Sequence, residues 1–260
     1  DGMMMTTTLK NIKEFTNIWK LQIKNRIAGT DIKLGIVQVG SNPASSSYVR
    51  NKMKDCQEVG ISAFLLQYPE DISEAQLLEV IRVQQEHYDA FMVQLPLPAH
   101  ISVMAITEVL DSNKDVDGFT CDSLFKPCTP SGIITYLDYC GFDPIGQHVV
   151  IIGRSDIVGK PLARMMTDRD ATVTLCHSKT ELLGSHTHAA DLIVCAVGKE
   201  KFLDCQSLYC PIIDVGINFN ADGKLVGDCF NTEGRNVTPV PGGVGLLTRC
   251  ALLENVSRCL

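Results

Sequence analysis

The sequence predicts an α/β protein of two domains, each built on a parallel sheet flanked by helices. Three observations carry this reading. Short apolar runs alternate with helical stretches along nearly the whole chain. The alternation breaks once, across residues 111–128, and then restarts more strongly. The apolar runs also lack the every-second-residue polarity of a sheet with one wet face, so both faces of each sheet are expected to be covered. A length of 260 residues suits one large domain or two ordinary ones, at about 150 residues each.

In chain order, Leu34-Gly35-Ile36-Val37-Gln38-Val39 reads as a strand and residues 43–59 as a helix, capped by Asn42 and begun by Pro43. Ala63-Phe64-Leu65-Leu66 is a second strand, residues 73–87 a helix, and Ala90 to Leu95 a third strand stopped by Pro96 and Pro98. Thr129-Pro130 reads as an N-cap and first helical residue, with Gly141 as the stop. Val149-Val150-Ile151-Ile152 is then a buried strand, followed by a glycine turn and a short helix from about Pro161. Further strands are expected at Ala171 to Leu175, at residues 191–197 and at Ile212 to Val215.

Composition narrows the function classes. An apolar fraction of 45% and a charged fraction of 20% are globular values and exclude disorder. With 23 Lys and Arg against 30 Asp and Glu, a net charge of −7, one Trp and no basic block, neither nucleic acid nor an anionic membrane is an expected partner. No apolar run approaches the roughly 18 residues that span a bilayer. Asp1-Gly2-Met3-Met4-Met5 lacks the basic and apolar regions of a signal peptide, Asp1-Gly2 reads as a cloning remnant, and a cytoplasmic setting is expected. There are 11 cysteines and no C-x-x-C pair. Several, such as Cys195, lie in apolar runs, and the spacing around His186 and His188 fits no common zinc module. Reduced, structural thiols and no metal are expected.

Six segments offer chemistry, each beside a plainer reading. Gly153-Arg154-Ser155-Asp156-Ile157-Val158-Gly159-Lys160-Pro161 follows a buried strand. Such a turn can aim backbone N–H groups at a phosphate, or be an ordinary tight turn with Ser155 at the second glycine position. The next strand ends in Cys176-His177-Ser178-Lys179, with no carboxylate to hold ribose hydroxyls. Arg154, Ser178 and Lys179 suit a 2′-phosphate, which favours NADP over NAD; otherwise they are solvated loop residues. Tyr48 and Lys52 lie one helical turn apart beside the apolar stripe Val49, Met53 and Cys56, a placement suited to proton transfer or to a plain surface lysine. Gln94 stands at a strand's carboxyl end, where ligands gather but where wet polar residues also belong. Asp115-Val116-Asp117-Gly118-Phe119 is either a carboxylate site or an Asx-type loop. Thr238-Pro239-Val240-Pro241-Gly242-Gly243-Val244-Gly245 exposes backbone, as turns generally do.

Taken together and in order, these segments resemble the bifunctional methylenetetrahydrofolate dehydrogenase/methenyltetrahydrofolate cyclohydrolase family. The likeness rests on Tyr48-Val49-Arg50-Asn51-Lys52, Val93-Gln94-Leu95-Pro96-Leu97-Pro98, Lys114 to Phe119, Pro127-Cys128-Thr129-Pro130, Gly153 to Gly159, Cys176 to Thr180, Ile213 to Asn218 and Pro241 to Gly245. The resemblance implies a folate-binding catalytic domain (residues 1–127 with 245–260) and an NADP-binding Rossmann domain (128–244), with a cleft between them. It implies NADP-linked oxidation of 5,10-methylenetetrahydrofolate and hydrolysis of the methenyl product to 10-formyltetrahydrofolate, in one-carbon metabolism and purine biosynthesis, by a homodimer joined through the nucleotide domain.

Carried over by position, Lys52, Gln94, Tyr48 and Asp117 would be catalytic, with Leu95, Pro96, Pro241, Gly242 and Gly243 completing the folate contacts. Cofactor contacts would fall to Thr129, Gly153, Arg154, Ser155, Val158, Gly159, Pro161, His177, Ser178, Lys179, Ala196, Val197, Gly198, Asp214, Gly216, Ile217, Gly245 and Thr248. The chain departs from the family at Gly245-Leu246-Leu247-Thr248, where Gly-Pro-Met-Thr is usual, and between Phe119 and Pro127, where it is short. A single-activity member, a non-catalytic NADP sensor and a dehydrogenase of the shikimate type are the alternatives. Joint retention of Lys52, Gln94 and Asp117 argues against the last two.

Overall fold

The computed structural model describes residues 6–260. The chain packs as two compact units, one of Ile18–Cys128 with Arg249–Leu260, the other of residues 6–17 with Thr129–Thr248. It passes between them inside helix α1 (Ile12–Ile27), at the start of α5 (Cys128–Tyr139) and inside α8 (Val244–Ser257). Among the described residues no helix is long and apolar enough to cross a membrane.

The first unit holds a parallel sheet in the order β2-β1-β3. β1 (Lys33–Val39) is central, with β2 (Ser62–Tyr68) and β3 (Ala90–Val93) on its two sides. In register, Ile36 faces Leu65 on one side and Met92 on the other. Helix α2 (Pro43–Val59) returns the chain from β1 to β2, and α3 (Glu74–Gln84) leads on towards β3. Asn42 caps α2 as expected, its Oδ1 accepting from Ala44 N at 2.9 Å and Ser45 N at 3.3 Å. Gly35 allows the sheet and its cover to meet, because a Cβ there would lie 2.9 Å from both the Phe91 and Tyr88 rings. Val37, Leu77, Ile81, Phe91, Val93 and Ile106, the last on α4 (Val103–Val109), form one buried cluster. The expectation of two covered faces fails at β2, where Phe64 is 43% and Leu65 39% exposed. β2 is an edge strand, and edges have a neighbour on one side only.

Three helices of this unit are fastened by charge. Arg249 on α8 grips Asp55 on α2 with two bonds, Nε to Oδ2 at 2.7 Å and Nη2 to Oδ1 at 2.6 Å. Asp55 is buried, and Lys20 on α1 adds a contact at 3.7 Å. Glu254 on α8 accepts from Trp19 Nε1 at 3.3 Å and pairs with Arg26, both on α1. Burial acts to raise the Glu254 carboxyl, but Arg26 outweighs it and holds the group below its usual range.

The second unit carries four parallel strands in the order β5-β4-β6-β8: Thr172–Cys176, His148–Ile152, Leu192–Cys195 and Ile212–Asp214. Helices α6 (Gly159–Asp168) and α7 (Leu183–His188) make the crossovers. Two short pairs sit outside this sheet. They are β7 (Leu203–Asp204) with β11 (Cys229–Phe230), and β9 (Asn218–Phe219) with β10 (Leu225–Val226). Residues 6–17 pack here rather than with the first domain as expected. Asn236 bonds Leu9 N at 3.0 Å and Thr7 O at 2.6 Å, Tyr136 donates to Lys10 O, and Phe15 stacks on Tyr139. Helix α5 starts one residue before the expected cap. Thr129 Oγ1 pairs with Thr248 Oγ1 at 2.9 Å instead of capping the helix. All eleven cysteines are free and most are buried.

The Asp55–Arg249 pair should be worth far more than a surface ion pair. Arg249→Met strands a buried carboxylate with only Lys20 near it, so a loss of about 3 kcal/mol is expected in urea unfolding. A loss below about 1 kcal/mol, the range of exposed pairs, contradicts this assignment.

Candidate active site

The expected site residues fall into two groups, one in each unit. In the first unit, the strand order β2-β1-β3 puts β2 and β3 on opposite sides of β1, and the switch places a crevice at the carboxyl ends of β1 and β3. Gln94 leaves β3 at this crevice, its backbone N bonded to Val37 O at 2.8 Å. Lys52 approaches from α2 and donates from Nζ to Gln94 Oε1 at 2.7 Å. Gln94 is itself fixed, since its Nε2 donates to Leu95 O at 2.7 Å and the side chain is 94% removed from solvent. Lys52 is half-buried beside Val49 and Cys56, the stripe expected from spacing, and Tyr48 one turn earlier is exposed. Leu95 and Pro96 follow at once, joined by a cis peptide bond.

The two carboxylates of the Asp115–Asp117 turn do different work. Asp115 is fully buried and extends the sheet beside Phe91. Its carboxylate accepts from Phe119 N at 3.1 Å, and from Thr120 N and Oγ1 at 2.7 and 3.0 Å. That is the Asx-type loop, with Asp115 as its anchor. Gly118 is obligatory in it: its φ is +66° and a Cβ would strike Pro127 N at 2.5 Å. Among the described residues the Asp117 side chain has one weak hydrogen-bond contact, from Cys128 Sγ at 3.9 Å. Asn255 on α8 supports this corner, donating to Val116 O at 2.8 Å. Burial pushes the Asp117 carboxyl up from its ordinary value, while the positive charge of Lys52 pulls it back. The same burial, aided by Asp117, pushes the Cys128 thiol well up, so Cys128 is an inert wall.

In the second unit the switch falls between β4 and β6. Gly153 leaves β4 there with φ +115°, and a Cβ on it would lie 2.2 Å from Ala196 O at the end of β6. Gly159 is equally constrained, its Cβ falling 1.9 Å from Gly153 O. Ser155 closes the turn with its own hydroxyl, accepting from Val158 N at 3.1 Å and Gly159 N at 3.4 Å. Pro161 lies in the first turn of α6. β4 and β5 are neighbours with Ile152 opposite Cys176, so Arg154 emerges beside His177, Ser178 and Lys179. Arg154, Ser178 and Lys179 are exposed, and their side chains have no bonded partner among the described residues. His177 Nδ1 accepts from Lys179 N at 3.2 Å. Three polar side chains, two of them cationic, thus stand at one sheet edge without a carboxylate, which fits a phosphate-bearing dinucleotide.

Ala196, Val197 and Gly198 form the exit of β6, and Gly216 and Ile217 that of β8. Asp214 is buried, and its oxygens accept from Gly216 N, Asp228 N and Cys229 N at 2.9–3.1 Å. It therefore acts by bracing backbone. Pro241, Gly242 and Gly243 precede α8, with a cis bond at Val240-Pro241 and φ +82° at Gly242. Gly245 and Thr248 lie in the first turn and a half of α8, so the departure Gly245-Leu246-Leu247-Thr248 is helix rather than loop. Sequence reasoning missed Asp228. A lone carboxylate inside Leu225-Val226-Gly227-Asp228-Cys229-Phe230 was its signal, because such a charge must find donors when buried.

Comparison with known proteins agrees with this geometry. Residues 6–117 match the catalytic domain, and residues 127–260 the NAD(P)-binding domain, of tetrahydrofolate dehydrogenase/cyclohydrolase. The bifunctional protein FolD of Methylibium petroleiphilum is 45% identical over 85% of this chain and 84% of its own. That of Brevibacillus brevis is 41% identical over 96% of both. Among solved structures, the bifunctional enzyme FolD of Campylobacter jejuni superposes with a TM-score of 0.90 at 37% identity, covering 96% of each chain. The Trypanosoma brucei N5,N10-methylenetetrahydrofolate dehydrogenase-cyclohydrolase, solved with NADP cofactor and inhibitor, gives 0.86 at 28% identity over 97% of each. With both domain descriptions matched in order along one chain, this protein belongs to the tetrahydrofolate dehydrogenase/cyclohydrolase family.

Proposed function

We propose that the chain oxidises 5,10-methylenetetrahydrofolate to the methenyl compound with NADP and hydrolyses that product to 10-formyltetrahydrofolate. The observation that carries the reading is the Lys52–Gln94 hydrogen bond at the first sheet's crevice, in the unit that also leaves Asp117 without a strong internal partner. NADP⁺, when bound, supplies the acceptor for the hydride leaving the bridging carbon. Arg154, Ser178 and Lys179 would hold its 2′-phosphate, and the Gly153–Gly159 turn its pyrophosphate. The contacts assigned to Leu95 and Pro96 in one unit and to Pro241, Gly242 and Gly243 in the other belong to the same reading.

The residues of the first unit account for the hydrolytic step. Lys52 Nζ, held at the crevice by Gln94, is the base of this step. Water adds to the bridging carbon and gives a proton to Lys52 Nζ. The bond from that carbon to N5 then breaks as the adduct's hydroxyl gives up its proton to become the carbonyl; N5 takes up one proton, the formyl group stays on N10, and Lys52 Nζ releases its proton to solvent. Gln94 holds Nζ in place through Oε1, so it orients the base without titrating. Asp117 would grip the pterin amidine edge through two parallel N–H···O bonds. Tyr48 would lie against the folate. Pairing of two copies through the nucleotide unit, in a cytoplasmic setting, is part of the proposal.

Lys52→Met tests the reading because it keeps length and removes the base. Turnover of methenyltetrahydrofolate should fall by about 10²–10⁴-fold, with a smaller loss in the NADP-linked oxidation. Methenyl hydrolysis near the parent rate would overturn the mechanism. The same variant also tests the electrostatics. In free protein the Asp117 carboxyl should titrate above the ordinary carboxylate range by ¹³C NMR. It should move higher still in Lys52→Met, because the cation that favours its ionised form is gone. An Asp117 that titrates lower in the variant contradicts the assignment.

A further inference from the structure

Asp228 is wholly buried, belongs to no expected site, and is held by no cation within ion-pair distance among the described residues. A buried carboxylate needs donors, and here three of them come from one loop, with a weak contact added by Cys195 Sγ at 3.8 Å. Oδ2 accepts from Val197 N at 2.7 Å and Gly198 N at 3.1 Å. Oδ1 accepts from Lys199 N at 3.0 Å and from Asn218 Nδ2 at 2.9 Å. Three successive backbone N–H groups closing on an anion make a nest of the kind that elsewhere captures phosphate. In this chain the nest is already filled, by the chain's own carboxylate.

The arrangement is reciprocal. Asp214 Oδ1 accepts from Asp228 N at 2.9 Å and from Gly216 N at 3.1 Å. A Cβ on Gly216 would lie 2.0 Å from Asp228 Oδ1, and one on Gly227 would lie 1.9 Å from Asp214 Oδ2. Two aspartates therefore pack against two glycines that admit nothing larger. The pair ties the exit of β6, residues 197–199, to the exit of β8, residues 214–218. Both exits stand at the carboxyl edge where the nucleotide is placed by the reading above.

We propose that Asp228 is a positioning residue for the nucleotide: it turns the Val197-Gly198-Lys199 loop so that its N–H groups face inward and its carbonyl and Cα edges face the cofactor. The loop then offers the cofactor acceptors and close van der Waals approach, and phosphate recognition is left to the Gly153–Gly159 turn. The inference rests on the nucleotide reading of this edge, and its test separates the two.

Asp228→Asn keeps the shape but replaces one oxygen by an NH₂ group, which meets two donors it cannot accept. Loss of such charge-assisted bonds is expected to weaken NADP⁺ binding about ten- to a hundredfold, read as Kd and as KM for NADP⁺. The kcat at saturating NADP⁺ and methenyl hydrolysis without nucleotide should stay within about twofold, since neither group touches the reacting atoms. Amide hydrogen exchange should quicken at Val197–Lys199 ahead of the β4 and β6 amides. Asn218→Ala, which removes one of the four N–H donors and leaves the carboxylate, should shift both readouts the same way by a smaller factor. Should Asp228→Asn fail to fold, Asn218→Ala decides the matter. Unchanged NADP⁺ affinity and unchanged loop exchange in the folded variants would overturn the inference, as would equal losses in both activities. Failure of the parent protein to bind NADP⁺ would instead overturn the nucleotide reading, while loop exchange would still report on the brace.

Discussion

A parallel strand with later strands placed on both its sides forces the chain to cross from one side of the sheet to the other. The two crossovers leave an open crevice at that strand's carboxyl end. Both units obey this constraint, at β1 in the order β2-β1-β3 and at β4 in the order β5-β4-β6-β8. Everything with chemical potential is found at these two edges. Lys52 and Gln94 meet at the first; Gly153, Arg154, Ser178 and the 196–198 exit gather at the second. The central strands β1, β4 and β6 are sealed by aliphatic side chains, so the carboxyl ends are where polar groups can remain available.

Buried carboxylates show how availability is decided. Asp55 is neutralised by a two-bond Arg249 grip, Asp115 by its own turn, Asp214 by three backbone N–H groups and Asp228 by four N–H donors. Each is satisfied internally and so holds structure. Asp117 stands apart, with a thiol at 3.9 Å as its hydrogen-bond partner and a lysine charge nearby. A half-buried carboxyl without strong internal donors has capacity left for an external one. Two neighbouring aspartates of one motif are thus separated by their environments into an anchor and a carboxyl with hydrogen-bonding capacity to spare.

Much of this was legible in the residues. α2 begins at Pro43 and ends at Val59, the expected bounds, because Asn42, Pro43 and Gly60 punctuate it. β1, β3, β4 and β6 were visible as apolar runs, since buried parallel strands need no other pattern. Other features left weaker traces. α1 is a different case: its apolar residues Ile12, Phe15, Trp19, Ile23 and Ile27 recur at helical spacing and Asn11 caps it, so its signal was present in the sequence and went unread. The two-residue strands β7 and β9–β11 carry too few residues for any periodicity. The exposure of β2 follows from its edge position, which composition does not encode. Asp228 was missed because its partners are backbone N–H groups distant in sequence, which no side-chain motif announces.

The central claim is that one chain carries both reactions. Purified protein supplied with 5,10-methylenetetrahydrofolate and NADP⁺ can be followed at the NADPH and methenyl absorbances together. The account predicts that NADPH rises while methenyl absorbance stays below it by more than hydrolysis in buffer alone explains. Methenyl product accumulating one for one with NADPH would contradict the second activity, and the absence of both signals would contradict the account as a whole.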